Sequence, residues 1–218
     1  MIVGLLGFIG SGKGTAGDIL NEFNFESISF AGAVKDVTAV MFGWPRNLLE
    51  GDTDASRTWR EKEDSFWSKR MNKPFTPRLA LQLMGTEVGR GIFHSNFWVD
   101  RLEASINKNK NYVITDVRFE NEIEFVHKQG GVIIEIQRGI KPHWYDIAAQ
   151  ANHGSSKAEN FMKESVKIHE SEWRWIGGKI DYVIDNDGTV DELRDKLLKC
   201  LTNSYGSNTM NELTMGVF

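Results

Sequence analysis

The sequence predicts an α/β fold in which helices cover both faces of a five-stranded parallel sheet. Five short strand-like runs alternate with stretches of helical character, which is the pattern of parallel strands joined by crossover helices. The first run is continuously apolar, as expected of a strand that is buried on both faces. The five runs are residues 2–6, 27–30, 112–115, 132–136 and 180–184.

Local signals place helices between these strands. Thr76 followed by Pro77 is typical of an N-cap and a first helical position. Thr189 and Glu192 have the spacing of a capping box at the start of the last helix. Further helices are expected over residues 13–23, 31–41 and about 119–129.

A chain of 218 residues fits one domain with room for insertions. We expect a single domain over residues 1–203 and a poorly ordered C-terminal tail over 204–218. A polar, tryptophan-rich stretch predicts an insertion at about 44–107, and a polar stretch without a strand signal predicts a mobile lid at about 139–178. We expect most of the seven tryptophans to pack these insertions or a subunit interface.

Composition excludes several classes of protein. The 26 Lys+Arg and 30 Asp+Glu give a formal net charge of −4, which argues against a uniformly basic nucleic-acid binder. A single cysteine, Cys200, allows no intrachain disulfide. The longest apolar run, residues 2–9, is too short to span a bilayer, and no basic segment precedes it as in a signal peptide. We therefore expect a cytoplasmic protein with no membrane partner.

The segment from Gly7 to Thr15 carries the strongest functional signal. It matches G-x-x-x-x-G-K between a buried strand and a helix, with Gly14 where Ser or Thr is usual. In such a P-loop, backbone N–H groups and the helix N-terminus bind phosphate oxygens. Lys13 would reach the β- and γ-phosphates, and Thr15 would approach a phosphate-bound Mg²⁺. The expected nucleotide-binding residues are Gly10, Ser11, Gly12, Lys13, Gly14 and Thr15.

A kinase also needs an anion site for its acceptor, and residues 57–101 offer one. This stretch holds nine Lys+Arg against five Asp+Glu, so its net charge is +4 and that of the remaining chain is −8. Arg78 and Gln82 are four residues apart and share one helix face. Arginine suits phosphate because its planar fork donates two hydrogen bonds at once. A solvated charged surface is the alternative interpretation.

Several blocks of sequence together resemble the phage deoxynucleoside monophosphate kinases. The most specific are Thr-Pro-Arg-Leu-Ala-Leu-Gln-Leu-Met-Gly-Thr-Glu-Val-Gly-Arg at residues 76–90 and Asp-Val-Arg at residues 116–118. Residues 30–36, 169–172 and 185–188 complete the pattern, which runs from Met1 to about Leu201. The Gly-Lys-Gly-Thr of the P-loop is similar to the adenylate kinase branch of nucleoside monophosphate kinases.

The resemblance implies a P-loop NTPase fold and an enzyme. The reaction would be ATP-dependent phosphorylation of deoxynucleoside monophosphates to diphosphates, for DNA precursor supply, with ATP and Mg²⁺ as cofactors. The acceptor would be a small molecule rather than nucleic acid, and the lid would exclude water. The resemblance also implies a homodimer and, for a phage-encoded chain, the host cytoplasm.

The resemblance further implies roles for residues outside the P-loop. Asp116 and Arg118 lie at the carboxyl end of the third strand, where open sheets bind ligands. Arg118 would bridge donor and acceptor phosphates, Asp116 would orient Mg²⁺ or its water, and Arg138 would stabilise charge on the transferred phosphoryl group. Asn186 and Asp187 would border the adenine ring of ATP. The acceptor nucleotide would contact Asp116 and Arg118 together with Lys35, Arg57, Arg78, Gln82, Gly85, Thr86, Trp98 and Glu122.

Alternatives for individual residues stay open at the level of sequence. Asp116 could be the N-cap of the helix that follows it, and Arg138 could be a solvent-exposed lid residue. Asn186 and Asp187 could form an ordinary turn. Residues 169–172 match the family pattern without an assigned chemistry.

Two alternative functions also stay open. A relative of dephospho-coenzyme A kinase would need a carboxylate base after the second strand, where this chain has Lys35 and only Asp36 beyond it. A P-loop switch that holds nucleic acid would bind DNA with a steep salt dependence and would make no diphosphate.

Overall fold

The computed structural model describes residues 1–207, and within them it confirms the predicted parallel sheet. The strands lie in the order β2-β3-β1-β4-β5, and every neighbouring pair is parallel. The central position of β1 places the loop that follows it in the middle of the sheet's carboxyl edge. The strands are β1 (Ile2–Leu6), β2 (Phe25–Ile28), β3 (Asn111–Ile114), β4 (Val132–Gln137) and β5 (Tyr182–Asp185).

The helices of the described residues include all those expected from the sequence. Thr76 and Thr189 are N-caps whose side chains accept hydrogen bonds from Leu79 N–H and Glu192 N–H. Two π-helical stretches, Leu83–Phe93 and Met162–Val166, were not predicted. The helices are α1 (Lys13–Asn21), α2 (Phe30–Phe42), α3 (Asp54–Glu61), α4 (Ser65–Met71), α5 (Pro77–Gln82), α6 (Phe97–Glu103), α7 (Glu120–Lys128), α8 (Tyr145–Asn152), α9 (Ser156–Phe161) and α10 (Val190–Tyr205).

The second strand was predicted two residues too late. It spans Phe25–Ile28 because Phe25 is buried in the core and pairs with Asn111 of β3. Ser29 is still extended and is the N-cap of α2, so Phe30 begins the helix instead of ending the strand.

The chain divides into two compact units. The first comprises Met1–Ile28 and the chain from Asn107 onward, and it contains the whole sheet. The second comprises Ser29–Ile106. The predicted insertion at about 44–107 therefore starts too late, because α2 belongs to the second unit.

The first unit is built around the sheet. On one face, side chains of β1 and β4 pack against those of α1 and α10 in a single buried cluster. On the other face, α7 lies so close that a Cβ on Gly4 would come within 3.2 Å of Val126 Cγ2, and the same Cβ would lie 2.6 Å from Ile133 Cδ1 of the neighbouring strand β4. This packing fixes the carboxyl ends of the strands, where the expected site lies.

The second unit has its own aromatic core. Phe42 and Trp44 stack with ring centroids 4.6 Å apart, and Phe75 packs against both rings. The indole N–H of Trp44 donates to Asp64 at 2.8 Å, and that of Trp67 donates to the Phe42 carbonyl at 3.2 Å. The tryptophan-rich stretch thus packs this unit, as one of the two sequence-based interpretations expected.

Residues 139–178 contain α8, α9 and a short 3₁₀ turn, Glu170–Glu172, and no strand. Their three tryptophans are buried, and Trp144 and Trp175 make edge contacts with Phe8 of the predicted P-loop. The segment is therefore packed on the first unit in this conformation. Its opening and closing as a lid stays a prediction.

The last helix extends beyond the predicted domain boundary at residue 203. Helix α10 continues through Ser204 to Tyr205, whose hydroxyl donates to the Ile2 carbonyl at 3.1 Å. Burial raises the pKa of this hydroxyl to about 12. Most of the expected disordered tail, residues 208–218, lies outside the described residues. None of the helices within 1–207 has the length and apolar character that crossing a bilayer requires.

Truncating Leu197 should destabilise the first unit. This side chain is fully buried between α10 and the sheet, so Leu197→Ala should lower the free energy of unfolding by about 2–5 kcal/mol. Val190→Ala, on the same helix but more than half exposed, is the control and should change it by less than about 0.5 kcal/mol. Urea denaturation measures both; equal losses would contradict this core.

Candidate functional site

The P-loop between β1 and α1 has the backbone of a phosphate-binding cradle. Gly7, Gly10 and Gly12 have φ values of 138°, 80° and 104°, which side-chain-bearing residues rarely adopt. A Cβ on Gly7 would collide with the Ile136 carbonyl, and one on Gly12 would collide with the side-chain amide of Asn186. These glycines let the loop turn tightly above the carboxyl ends of β1 and β4.

The cradle presents hydrogen-bond donors that have no acceptor among residues 1–207. Helix α1 makes its first backbone bond from Ala16 N–H to the Gly12 carbonyl, which leaves the N–H groups of residues 13–15 without an acceptor inside the helix. Ser11 is only 3% exposed, and its hydroxyl has no hydrogen-bond partner within the described part of the chain. A buried hydroxyl beside free N–H groups fits a bound phosphate oxygen.

Lys13 is the cation of this cradle. Its ammonium donates to the carbonyls of Gly7 and Phe8, each at 2.8 Å. The pKa of Lys13 is lowered to about 8, chiefly by burial and then by the nearby Arg118 guanidinium, while the Glu172 and Asp116 carboxylates act in the opposite direction. Four charged groups therefore act on one another beside the loop.

Arg118 follows β3, as expected, and is held from two sides. Its Nη1 donates to Glu172 Oε1 at 2.8 Å and to the Ser171 carbonyl at 3.3 Å. Its backbone N–H donates to Glu122 Oε2 at 2.6 Å. The charges of Arg118 and Asp116 both act on Lys13 of the P-loop, and the contact of these residues with phosphate stays a prediction.

Two expectations for this region are wrong. Glu122 was expected to contact substrate, but it is 2% exposed and accepts from the N–H groups of Arg118 and Phe119 at the start of α7. It caps that helix. The alternative for Asp116 as the N-cap is also wrong, because α7 begins at Glu120 and its N-cap is Phe119.

Asn186 holds the P-loop in place. Its Nδ2 donates to the Ser11 carbonyl at 2.8 Å, and its own N–H donates to the Gln137 carbonyl at 2.7 Å. Asp187 accepts from Gly139 N–H at 2.9 Å and so fixes the start of the segment after β4. The loop after β5 therefore stabilises the P-loop and the segment that follows β4. Its contact with an adenine ring stays a prediction.

Arg138 is exposed immediately after β4. It makes no hydrogen bond or ion pair to the residues that the structure describes, so its charge remains available to a ligand. Thr15 is exposed in the first turn of α1, and Asp116 is half-buried after β3. Residues 1–207 contain no cluster of three or more His, Cys, Asp or Glu that could hold a metal ion by itself. Magnesium bound mainly through phosphate oxygens and water needs no such cluster.

The second unit, taken by itself, carries most of the expected acceptor residues. Lys35 on α2 forms an ion pair with Glu50 at 2.5 Å, and Arg46 pairs with the same carboxylate. Arg78 lies on the first turn of α5, and its Nε is 3.4 Å from Glu61 Oε1. Arg57 on α3 donates to the Gly51 and Asp52 carbonyls of the loop before that helix, which indicates a local structural role.

The block from Gln82 to Trp98 is shaped by a π-helical turn. Helix α5 ends at Gln82, and Gly85 and Thr86 lie in the wider turns that follow. Trp98 was expected to line the nucleotide site, but it is 5% exposed and its indole N–H donates to the Gly85 carbonyl at 2.8 Å. Its ring packs against Gly89 in the core of this unit, so it positions the turn instead of presenting a surface.

Glu172 is the charged residue whose role was missed. Residues 169–172 matched a family pattern, but sequence spacing does not reveal that Glu172 reaches Arg118, which lies 54 positions earlier. The motif itself was the one available signal.

Comparisons with known proteins show what this chain is similar to. The family model described as deoxynucleotide monophosphate kinase matches residues 50–149. A protein of Acanthamoeba polyphaga mimivirus named for the same activity is 29% identical over 95% of this chain and 100% of its own length. The deoxynucleoside-5'-monophosphate kinase of Escherichia phage T5 is 45% identical over 31% of this chain and 26% of its own. Among solved structures, the shikimate kinase of Aquifex aeolicus has a TM-score of 0.41 at 15% identity, covering 93% of this chain and 97% of that one.

Phosphate binding should depend on the protonation of Lys13. Lys13 carries its charge below about pH 8 and loses it above, and a bound anion favours the charged form. The affinity for inorganic tripolyphosphate should therefore fall by up to about tenfold per pH unit above pH 8. Calorimetric titrations from pH 7.5 to 9.5 measure this dependence. In Lys13→Arg, whose guanidinium keeps its proton, an equal fall would assign the dependence to another group.

Asn186→Asp should disrupt the P-loop. The substitution places a carboxylate oxygen against the Ser11 carbonyl in place of the Nδ2 donor, so tripolyphosphate affinity should fall at least about tenfold. Asp187→Asn is the control, because it keeps the oxygen that accepts from Gly139 N–H. Unchanged affinity in Asn186→Asp would show that the loop holds its shape without this bond.

Proposed function

We infer that this chain, which is related by sequence to the deoxynucleotide monophosphate kinases, transfers the γ-phosphoryl group of ATP to a deoxynucleoside monophosphate. The similarity to deoxynucleotide monophosphate kinases supports the family and the kinase activity that the sequence predicted. The activity supplies deoxynucleoside diphosphates for DNA synthesis. One of the relatives is a phage protein, in agreement with the predicted source class.

The main support for this function is that two separate regions of the chain both indicate a nucleotide kinase. The P-loop, with its free N–H groups and buried Ser11 hydroxyl, supports binding of a donor polyphosphate. The family match covers residues 50–149, which exclude the P-loop and include most of the expected acceptor residues. Donor chemistry and acceptor identity are thus supported by different parts of the chain.

The chemistry requires positioning and charge stabilisation more than proton transfer. The second pKa of a phosphate monoester is about 6, so the acceptor phosphate is already an anionic nucleophile near neutral pH. Lys13 and the N–H groups at the start of α1 would hold the donor phosphates, and Arg118 and Arg138 would stabilise charge on the transferred group. Mg²⁺, when bound, would neutralise phosphate charge, with the Thr15 hydroxyl and the Asp116 carboxylate able to hold the ion or its waters.

The acceptor contacts belong to the proposal. Lys35 and Arg78 would bind the monophosphate by exchanging their ion pairs with Glu50 and Glu61 for contacts to phosphate oxygens. Gln82, Gly85 and Thr86 would contact the nucleoside around the π-helical turn. Arg57 is the weakest candidate because its donors serve its own loop.

Assembly and location also belong to the proposal. We expect a homodimer in the host cytoplasm that acts on small molecules and does not bind nucleic acid. No observation favours a hydroxyl acceptor, as in the dephospho-coenzyme A kinase alternative, or a DNA-holding switch.

The direct test is product formation. The wild-type chain, ATP, Mg²⁺ and each deoxynucleoside monophosphate in turn should yield the corresponding diphosphate, resolved by ion-exchange chromatography. Lys13→Ala should lower the rate at least about 100-fold, because it removes the cation from the phosphate cradle. Lys163→Ala, at an exposed ion pair with Glu159, is the charge-matched control and should keep the wild-type rate. Absence of diphosphate with every acceptor would refute the proposed function.

A further inference from the structure

We propose that Glu172 is a positioning residue for Arg118: it holds one end of the guanidinium and leaves the opposite edge open to phosphoryl oxygens. The inference rests on the proposed function, in which Arg118 contacts the transferred group. It gives a role to the segment 169–172, which the sequence pattern left without chemistry.

The hydrogen bonds of Arg118 are all at one end of its guanidinium. Nη1 donates to both Glu172 Oε1 and the Ser171 carbonyl. Nε and Nη2 make no hydrogen bond to any residue in the described part of the chain, and the side chain is 37% exposed. The Nε–Nη2 edge is one of the two faces with which arginine binds phosphate oxygens in pairs. Arg118 is therefore both anchored and available.

The carboxylate that anchors Arg118 is itself well fixed. Glu172 is 18% exposed and ends the 3₁₀ turn Glu170–Glu172. His169 caps this turn, because its Nδ1 accepts from Ser171 N–H at 3.3 Å and lies 2.9 Å from the Ser171 hydroxyl. The buried Trp175 donates from its indole to the Glu172 carbonyl at 3.1 Å. Both acceptors of Arg118 thus come from one rigid turn.

The pair lies beside the donor phosphate cradle. Arg118 and Glu172 both influence the pKa of Lys13, in opposite directions, which places their charges near the Lys13 ammonium. A guanidinium held here by a fixed carboxylate needs little reorientation when a phosphate arrives, and such preorganisation lowers the cost of binding the transition state.

The pair is tested directly by Glu172→Gln. Its matched control is Glu170→Gln in the same turn, where the carboxylate lies 3.5 Å from Arg174 Nε and does not contact Arg118. In ligand-free wild-type protein, NMR of the arginine side chains should show slow rotation of the Arg118 guanidinium and resolved Nη signals. Those signals should merge in Glu172→Gln and stay resolved in Glu170→Gln. Resolved signals in both variants would overturn the proposal.

Kinetics test the consequence for phosphoryl transfer. Glu172→Gln should lower kcat about 10- to 100-fold with less than about a threefold change in the KM for ATP, since an arginine displaced by an ångström loses most of its effect. Glu170→Gln should keep the wild-type kcat. In an Arg118→Ala background, Glu172→Gln should cause no further loss, because the carboxylate acts through the arginine. A multiplied loss in the double variant, or a wild-type kcat in Glu172→Gln, would overturn the proposal.

Two further outcomes separate this inference from the proposed function and from a loss of folding. A wild-type chain that makes no diphosphate would refute the proposed function, while the NMR comparison would still decide whether Glu172 holds Arg118. Glu172→Asp keeps the charge on a shorter side chain and should recover part of the kcat lost in Glu172→Gln. Equal losses in the Asp and Gln variants, with melting temperatures matching that of Glu170→Gln, would contradict a role for the charge.

Discussion

The site depends on a positive charge that is kept largely out of water. Lys13 lies against the backbone of its own P-loop, where two carbonyls take up its hydrogen bonds. Burial works against the charged form, so its pKa falls toward the physiological range. A phosphate shifts this balance, because its negative charge adds to that of Glu172 and Asp116 and favours the charged form of Lys13. The cradle therefore holds a partly desolvated ammonium that a bound polyphosphate would stabilise in its charged form.

Much of the surrounding structure restrains the backbone that faces this charge. Asn186 fixes the Ser11 carbonyl, and the glycines of the loop adopt positive φ angles that residues with side chains rarely adopt. The Glu122 carboxylate accepts a hydrogen bond from the Arg118 backbone N–H and so fixes that backbone. Burying these polar groups costs free energy of desolvation, and their hydrogen bonds compensate for that cost. Together the hydrogen bonds restrict the motion of the loop. A rigid set of dipoles stabilises charge better than one that must reorganise.

The sequence predicts the fold and the P-loop well because both rest on local patterns. Buried strands, capping residues such as Thr76 and Thr189, and the glycine spacing of the loop are visible without knowledge of the tertiary structure. The roles of Trp98, Glu122 and Glu172 are not visible in this way. An aromatic or acidic residue in a family block can face ligand, core or a helix end, and its tertiary neighbours decide which. Trp98 and Glu122 are buried. Glu172 accepts a hydrogen bond from Arg118, which lies 54 positions earlier in the chain.

The connection between β2 and β3 has a consequence for folding. These strands pair directly, Phe25 with Asn111, although the whole of Ser29–Ile106 intervenes in the chain. Closing so long a loop is costly while it is disordered, but the cost grows only with the logarithm of its length. The inserted helices make contacts that are close in sequence and have an aromatic core of their own, so they can form early. Their collapse would draw Phe25 and Asn111 toward each other, and formation of the second unit would thereby speed completion of the sheet.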